Sequence, residues 1–548
     1  MRFYRTVFAL IFGAPFTTFS VAQTASAPPA KTPTILPGLG TLHHPTSTHS
    51  PEAQQFFDQG LRLIYAFNHE EANRSFQQAL QLDPKFAMAW WGIAVAVGPN
   101  YNLPVDAERE KTAVDAVRHA IELSQSASPN EQDYIHAIAT RFSSDANPDY
   151  GKLNLNYSQA MRALAQKYPD DLDAATLYAD SMMNLRPWQL WNPDSTPAEG
   201  TPEIIATLES VLRRDPNHIG AMHLYIHAVE GSPNPERALH YADNIAALAP
   251  GAGHLVHMPS HIYMRTGNYD GARAQNVTAA HVDEQYIAAT NAQGIYPMMY
   301  YSHNLHFLAV AAATQGRCAE AVDGAKRLAV NLQPMAGEMP MVDPFLAIRY
   351  AIDVRCRRWQ ELLATPRPNP KSPVLLAFWL YGHGTAQAVL GHETEAEADE
   401  KELAAIEKAT SRDDLFAPPV ANRTWQIFHI ADDLLAARIA ARSNKPAAIA
   451  LLRDAVSNQD QLLYDEPPDW NFDVREALGG MLLQTGDAPG AERVFRESLA
   501  KNPRNPRSLF GLSESLKRQG RDYDAAWVQK EFETAWQGAD IPLTVNDL

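Results

Sequence analysis

Cysteine is nearly absent from this chain: Cys318 and Cys356 are the only two in 548 residues. So small a supply excludes a Cys-rich zinc site, a CxxC redox pair and a multi-bridge disulfide framework. The two thiols either form one bridge or stay buried and free, and spacing alone leaves both readings open. Positive charge is also short. Lys and Arg number 46 against 63 Asp and Glu, a formal net charge of −17. With no Lys/Arg stripe to offset that balance, a nucleic-acid partner is excluded on electrostatic grounds. Several signature loops are missing as well. There is no Walker A loop, no G-x-G-x-x-G, no G-x-S-x-G nucleophile elbow and no H-E-x-x-H zinc helix. Strand-like alternation at period two is hard to find, whereas Ala/Leu-rich segments at period 3.6 dominate, so the expected class is all-α.

The N-terminus reads as an export signal over residues 1–22. Arg2 and Arg5 form a basic start, an apolar stretch follows, and Ser20-Val21-Ala22 offers small residues for cleavage. The stretch is too short for a membrane span, so no transmembrane segment is expected in the mature chain. Residues 23–51, rich in Ala, Pro, Thr and Ser, are expected to be a flexible arm. The expected location is the periplasm or the exterior.

What is abundant is a period of 34 residues. From a unit starting at Ala53, Gly60 falls at position 8, Ala72 at 20, Phe76 at 24, Ala79 at 27 and Pro84 at 32. Near the C-terminus Gly479, Ala491, Phe495 and Pro503 take positions 8, 20, 24 and 32. Pro216 and Pro250 keep the same spacing, as do Ala238 and Ala272. These are the small and large residues that let two helices of a hairpin pack, and the chain resembles the tetratricopeptide repeat family. The resemblance implies a helical-hairpin solenoid wound as a right-handed superhelix. The expected divisions are N-terminal repeats over 52–185, a Trp/Pro-rich loop over 186–201 and central repeats over 202–364. A Pro-rich linker over 365–373 and C-terminal repeats over 374–540 complete the chain. The loop near Trp188 and an insertion between His281 and Ser302 break the rhythm, either as functional rims or as padding at helix joints.

The central repeats start at Ile219, Gly253 and Ser302. In the tetratricopeptide family, positions 2, 5 and 9 of each first helix line the concave groove. Across three repeats seven of those nine slots hold histidine: His254 and His303 at position 2, His223, His257 and His306 at position 5, His227 and His261 at position 9. Nineteen histidines in 548 residues would place about 0.3 there by chance. Imidazoles at i and i+4 share a helix face, and packed helices bring such faces within reach of one ion. His223, His227, His257 and His261 are therefore expected to ligate one transition metal, with His254, His303 and His306 forming a second site or supporting the first. All-nitrogen ligation suits copper, zinc or iron. Glu230 is a candidate ligand, base or orienting carboxylate, and Arg265 a groove residue able to hold an anion or form an ion pair.

The run His254-Leu-Val-His257-Met-Pro-Ser-His261-Ile-Tyr263-Met-Arg265-Thr-Gly267-Asn-Tyr269 resembles the signature of a group of exported bacterial tetratricopeptide proteins, and Glu466-Pro-Pro-Asp-Trp470 resembles their C-terminal mark. That resemblance implies fold and export and adds no mechanism. Two functions stand: an exported metalloprotein, enzymatic or not, or a scaffold whose groove takes a peptide, an envelope protein or a small molecule.

Overall fold

A computed structural model describes residues 31–145, 147–336, 339–418 and 422–548. The expected signal segment 1–22 lies outside them. The described residues form a succession of antiparallel helical hairpins, beginning with Pro51–Tyr65, His69–Leu82 and Ala87–Val97 and ending with Pro506–Arg518 and Asp522–Ala535. Among them β-pairing is limited to isolated bridges. Among the described residues no helix is long and apolar enough to cross a membrane.

In the first and the C-terminal hairpins the 34-residue period works through one aromatic ring. A Cβ at Gly60 or at Gly92 would lie 2.5 Å from the Phe76 ring, so both glycines exist to let that ring wedge between successive hairpins. Phe495 does the same between Gly479 and Gly511, where a Cβ would approach to 2.4 and 2.1 Å. Both phenylalanines are fully buried. Side-chain caps set many helix starts. Ser50 accepts from the Ala53 amide, Asn68 from Glu71 and Asp171 from Ala174, which satisfies amides that have no partner inside their helix. The fold is thus a tetratricopeptide-type helical solenoid.

Three features close the superhelix around its central repeats. First, residues 31–50, expected as flexible, lie extended along the hairpins. Gly251 N–H donates to Gly38 C=O at 2.7 Å, Leu36 N–H to Gln59 at 2.7 Å, and His44 meets Asp173 at 2.8 Å. Polar residues in this arm find partners on the helices, which composition does not reveal. Second, the C-terminal hairpins fold back onto the middle of the chain. Tyr269 donates to Pro503 C=O at 3.1 Å, and Arg355 pairs with Glu476 at 2.7 Å in a buried ion pair. Third, Cys318 and Cys356 are joined in a disulfide, tying two neighbouring hairpins.

Candidate metal centre

The central helices Ile219–Glu230, Gly253–His257, Pro259–Thr266 and Tyr301–Thr314 carry the histidines. Every residue of Ile219–Glu230 is buried, so this helix has two inner faces. One packs in its hairpin. The other, holding His223 and His227, faces His254 and His261 of the next repeat. Gly220 occupies position 2 because the Tyr65 ring lies there, 2.5 Å from where a Cβ would be. Pro259 divides the second repeat's first helix into two short pieces, consistent with its missing amide donor.

The rings form one continuous group, with centroids 4.9 Å apart for His223–His227 and for His223–His254. His227–His261 are 5.1 Å apart, His254–His257 5.6 Å and His257–His303 4.7 Å. Two triads have nitrogens mutually within 4.8 Å: His223, His227 and His254, then His257, His261 and His303. Each takes positions 5 and 9 of one repeat and position 2 of the next. This corrects the expected grouping of His223, His227, His257 and His261 around one ion. The reason is stagger: side chains lean toward a helix N-terminus, so position 2 of one repeat lies beside positions 5 and 9 of the repeat before. His306 stands outside both triads, since Val310 holds the position-9 slot that would complete a third. It packs against Phe345 and contacts Asn471 at 3.4 Å.

Hydrogen bonds fix which nitrogen of most rings faces the centre. His223 Nδ1–H donates to Tyr65 C=O at 2.6 Å, and His227 Nδ1–H to Glu230 Oε1 at 2.8 Å. His257 Nδ1–H donates to Asn276 Oδ1 at 2.6 Å, and the Asn276 amide is itself set by donation to Ser260 Oγ and Ala272 C=O at 2.7 Å each. His261 Nδ1–H donates to Glu230 Oε2 at 2.6 Å and to Glu466. The Nε2 lone pairs are what remain. Those of His223 and His227 have no partner, nor does either nitrogen of His254. The Nε2 atoms of His257 and His261 face each other at 2.6 Å. Burial drives His223, His254, His257 and His303 well below the ordinary imidazole value, and neighbouring rings oppose protonation further. Burial also lowers His227, and takes His306 down to about 3.

Two carboxylates stand behind the rings. Burial disfavours charge on both, but the His261 and His227 rings hold Glu230 well below the usual carboxylate range. Burial, with the Glu230 charge beside it, pushes Glu466 well above that range. Tyr464 hydroxyl donates to both, at 3.1 and 3.2 Å. Glu230 thus accepts from two imidazoles at their rear nitrogens, which orients both rings. Arg265 is spoken for as well. Its guanidinium donates to the Glu230 and Ser232 carbonyls at 3.0 and 3.3 Å, tying down the end of the His227 helix.

Sequence reasoning named Glu466 only within the C-terminal mark and gave it no place at the histidines, and it missed Tyr464, Asn276, Tyr65 and Phe67. Phe67, held at a left-handed φ of 55° in the first hairpin turn, lays its ring 4.3 Å from His223 and 5.8 Å from His227. A large residue in a turn conformation that favours glycine was the available signal for it. Asn276, in an N-glycosylation triplet by sequence, is buried and engaged with His257.

No family model matches the chain. An uncharacterised protein of Aquifex aeolicus (strain VF5) is 40% identical over 68 residues, 12% of this chain, and the match spans only 9% of that protein's length. Among solved structures, the human IFIT1 dimer with m7Gppp-AAAA is 12% identical with a TM-score of 0.33, covering 79% of this chain and 87% of its own. Yeast Tom70 is 12% identical with a TM-score of 0.28, covering 88% and 90%.

Proposed function

We propose that this protein is an exported metalloprotein whose solenoid holds two adjacent transition-metal ions, one in each histidine triad. One observation carries this reading: His223, His227, His257 and His261 each have Nδ1 bound at the back while their buried Nε2 lone pairs point to the front. A buried nitrogen lone pair without a donor is costly, and two facing ones repel. A proton relieves the His257–His261 pair alone. A metal ion in each triad satisfies every converging nitrogen, and rotations of the rings bring them to the roughly 2.0–2.1 Å of a metal–imidazole bond. Oriented Nδ1 donors and neutral rings are what such ligation needs. Neutral nitrogen donors suit copper, zinc or iron. Three protein ligands per ion leave a coordination position for a substrate or water, an arrangement associated with catalysis more than with structure. The disulfide supports export to an oxidising compartment.

A peptide groove is the less favoured reading at this wall. The histidines are buried, and Tyr464 and Glu466 of the chain itself occupy the concave side where an extended peptide would lie. A peptide partner would have to use another face of the solenoid.

Elemental analysis of the purified full chain tests the proposal. The expected result is two equivalents of one transition metal, one for each triad. His227→Ala is expected to empty the first triad and His261→Ala the second, each with helicity unchanged. Substoichiometric metal in the parent that neither variant alters, after growth with copper, zinc and iron supplied, would sink the proposal.

A further inference from the structure

Beside the triads lies a cavity of about 140 Å³. Its floor is made by His227, His254 and His303, and the opposite walls include Met299, Phe345, Phe378 and Phe416. An apolar protein cavity of about 150 Å³ holds one benzene ring, so the space matches a single six-membered ring. No described Lys or Arg lines it, so in the metal-free chain an anionic ligand has no counterion. Asp465, Glu466 and Asp469 border it, but each is already hydrogen-bonded within the wall: Asp465 accepts from the Glu466 amide at 2.7 Å, Glu466 from the Tyr464 hydroxyl at 3.2 Å and Asp469 from Asn422 at 2.9 Å. The polar end is set by His254, 2% exposed, whose ring nitrogens both lack hydrogen-bond partners.

We infer that this cavity is the binding site for a small neutral molecule built on one apolar ring with a hydroxyl head, phenol being the simplest member of the class. The ring packs among Met299 and the phenylalanines while the hydroxyl points to the histidine floor. This rests on the metal reading for the strongest partner of the hydroxyl, a metal ion with an open position. Without an ion, a free nitrogen of His254 is the acceptor. Apolar pockets with a few convergent polar groups are the usual form of a small-molecule site. No reaction is assigned to the bound molecule.

Phenol is titrated calorimetrically into the full chain, both metal-loaded and chelator-stripped, with bound metal counted in each sample. Saturable one-to-one binding to both forms is expected, tighter in the loaded one. Met299→Trp fills the cavity and is expected to weaken phenol by at least about tenfold while the metal count stays unchanged. Ile348→Phe gives the same reading if the tryptophan variant does not fold. Benzylamine and benzoate, titrated into the chelator-stripped chain, test the charge argument and are expected to bind more weakly there than phenol. The inference is overturned by absence of saturable phenol binding to either form, by tighter binding of either charged analogue to the stripped chain, or by wild-type affinity in folded cavity-filling variants. Normal metal content without phenol binding removes this inference alone. Phenol binding to a chain that takes up no metal removes the metal reading alone.

Discussion

The hairpins around Phe76 and Phe495 and the hairpins around the histidines are built to one plan and used differently. In the outer pair, one ring wedges against glycines of its own and the following hairpin, and inner surfaces serve packing. In the central repeats the hairpin core is kept, with Ala238, Ala242 and Ile245 fully buried, but the concave face is buried too. Polar atoms replace apolar ones there, and the rear nitrogens of His223, His227, His257 and His261 are each paired. The difference teaches that this fold separates stability from chemistry by face. The convex and inter-helix positions hold the chain together, and positions 2, 5 and 9 are left free to be specialised.

That separation is breakable in order of size. Phe76→Ala leaves a large cavity between two hairpins and is expected to cost about 3–5 kcal/mol in denaturant unfolding, with metal content per folded chain retained. Replacing both Cys318 and Cys356 by serine releases a bridge across 38 residues of sequence and is expected to lower stability by about 2–4 kcal/mol, again sparing the metal. Glu230→Gln should do the reverse. Helicity and unfolding midpoint of the metal-free protein stay close to the parent, while metal affinity in competition with a chelator falls about 10–100-fold, because the orienting acceptor for two imidazoles loses its charge.

The smallest effect is a pH slope. Asp283 accepts from Tyr296 at 2.8 Å and Asn304 at 2.6 Å, and burial pushes its carboxyl up to about 7 from an ordinary 3.8. A raised folded value means the folded state holds a proton that the unfolded state releases earlier. The contribution is therefore complete below pH 4 and is lost as the pH rises to 7. Asp283→Asn is expected to flatten unfolding free energy across that window. An unchanged slope would show that Asp283 is not the group responsible.

Much of this was legible because the repeat period carries geometric information. Gly60, Phe76, Gly479 and Phe495 announced hairpin packing, and the phase of seven histidines announced that they share a wall. Phase does not encode stagger between neighbouring helices, so the partition into triads was misread. His306 was overcounted, since Val310 at position 9 signals where the pattern stops. Glu466 stands in a recognisable motif, but its place beside the histidines is illegible in sequence for another reason. It lies 205 residues from His261, in a loop with no periodicity, and nothing local marks a chain segment that will fold into a distant groove. The same holds for residues 31–50, whose anchors are backbone and side-chain hydrogen bonds to helices far along the chain.

The Glu466 loop has a consequence for how the protein matures. During synthesis from the N-terminus, all six triad imidazoles leave the ribosome well before residue 466 does. Until that residue arrives, the half-built wall is open to any passing cation, and His261 lacks one of its two rear acceptors. Closure of the wall thus waits for the C-terminal part of the chain, and on the proposed metal reading an ion in the triads is enclosed only after that part has folded back.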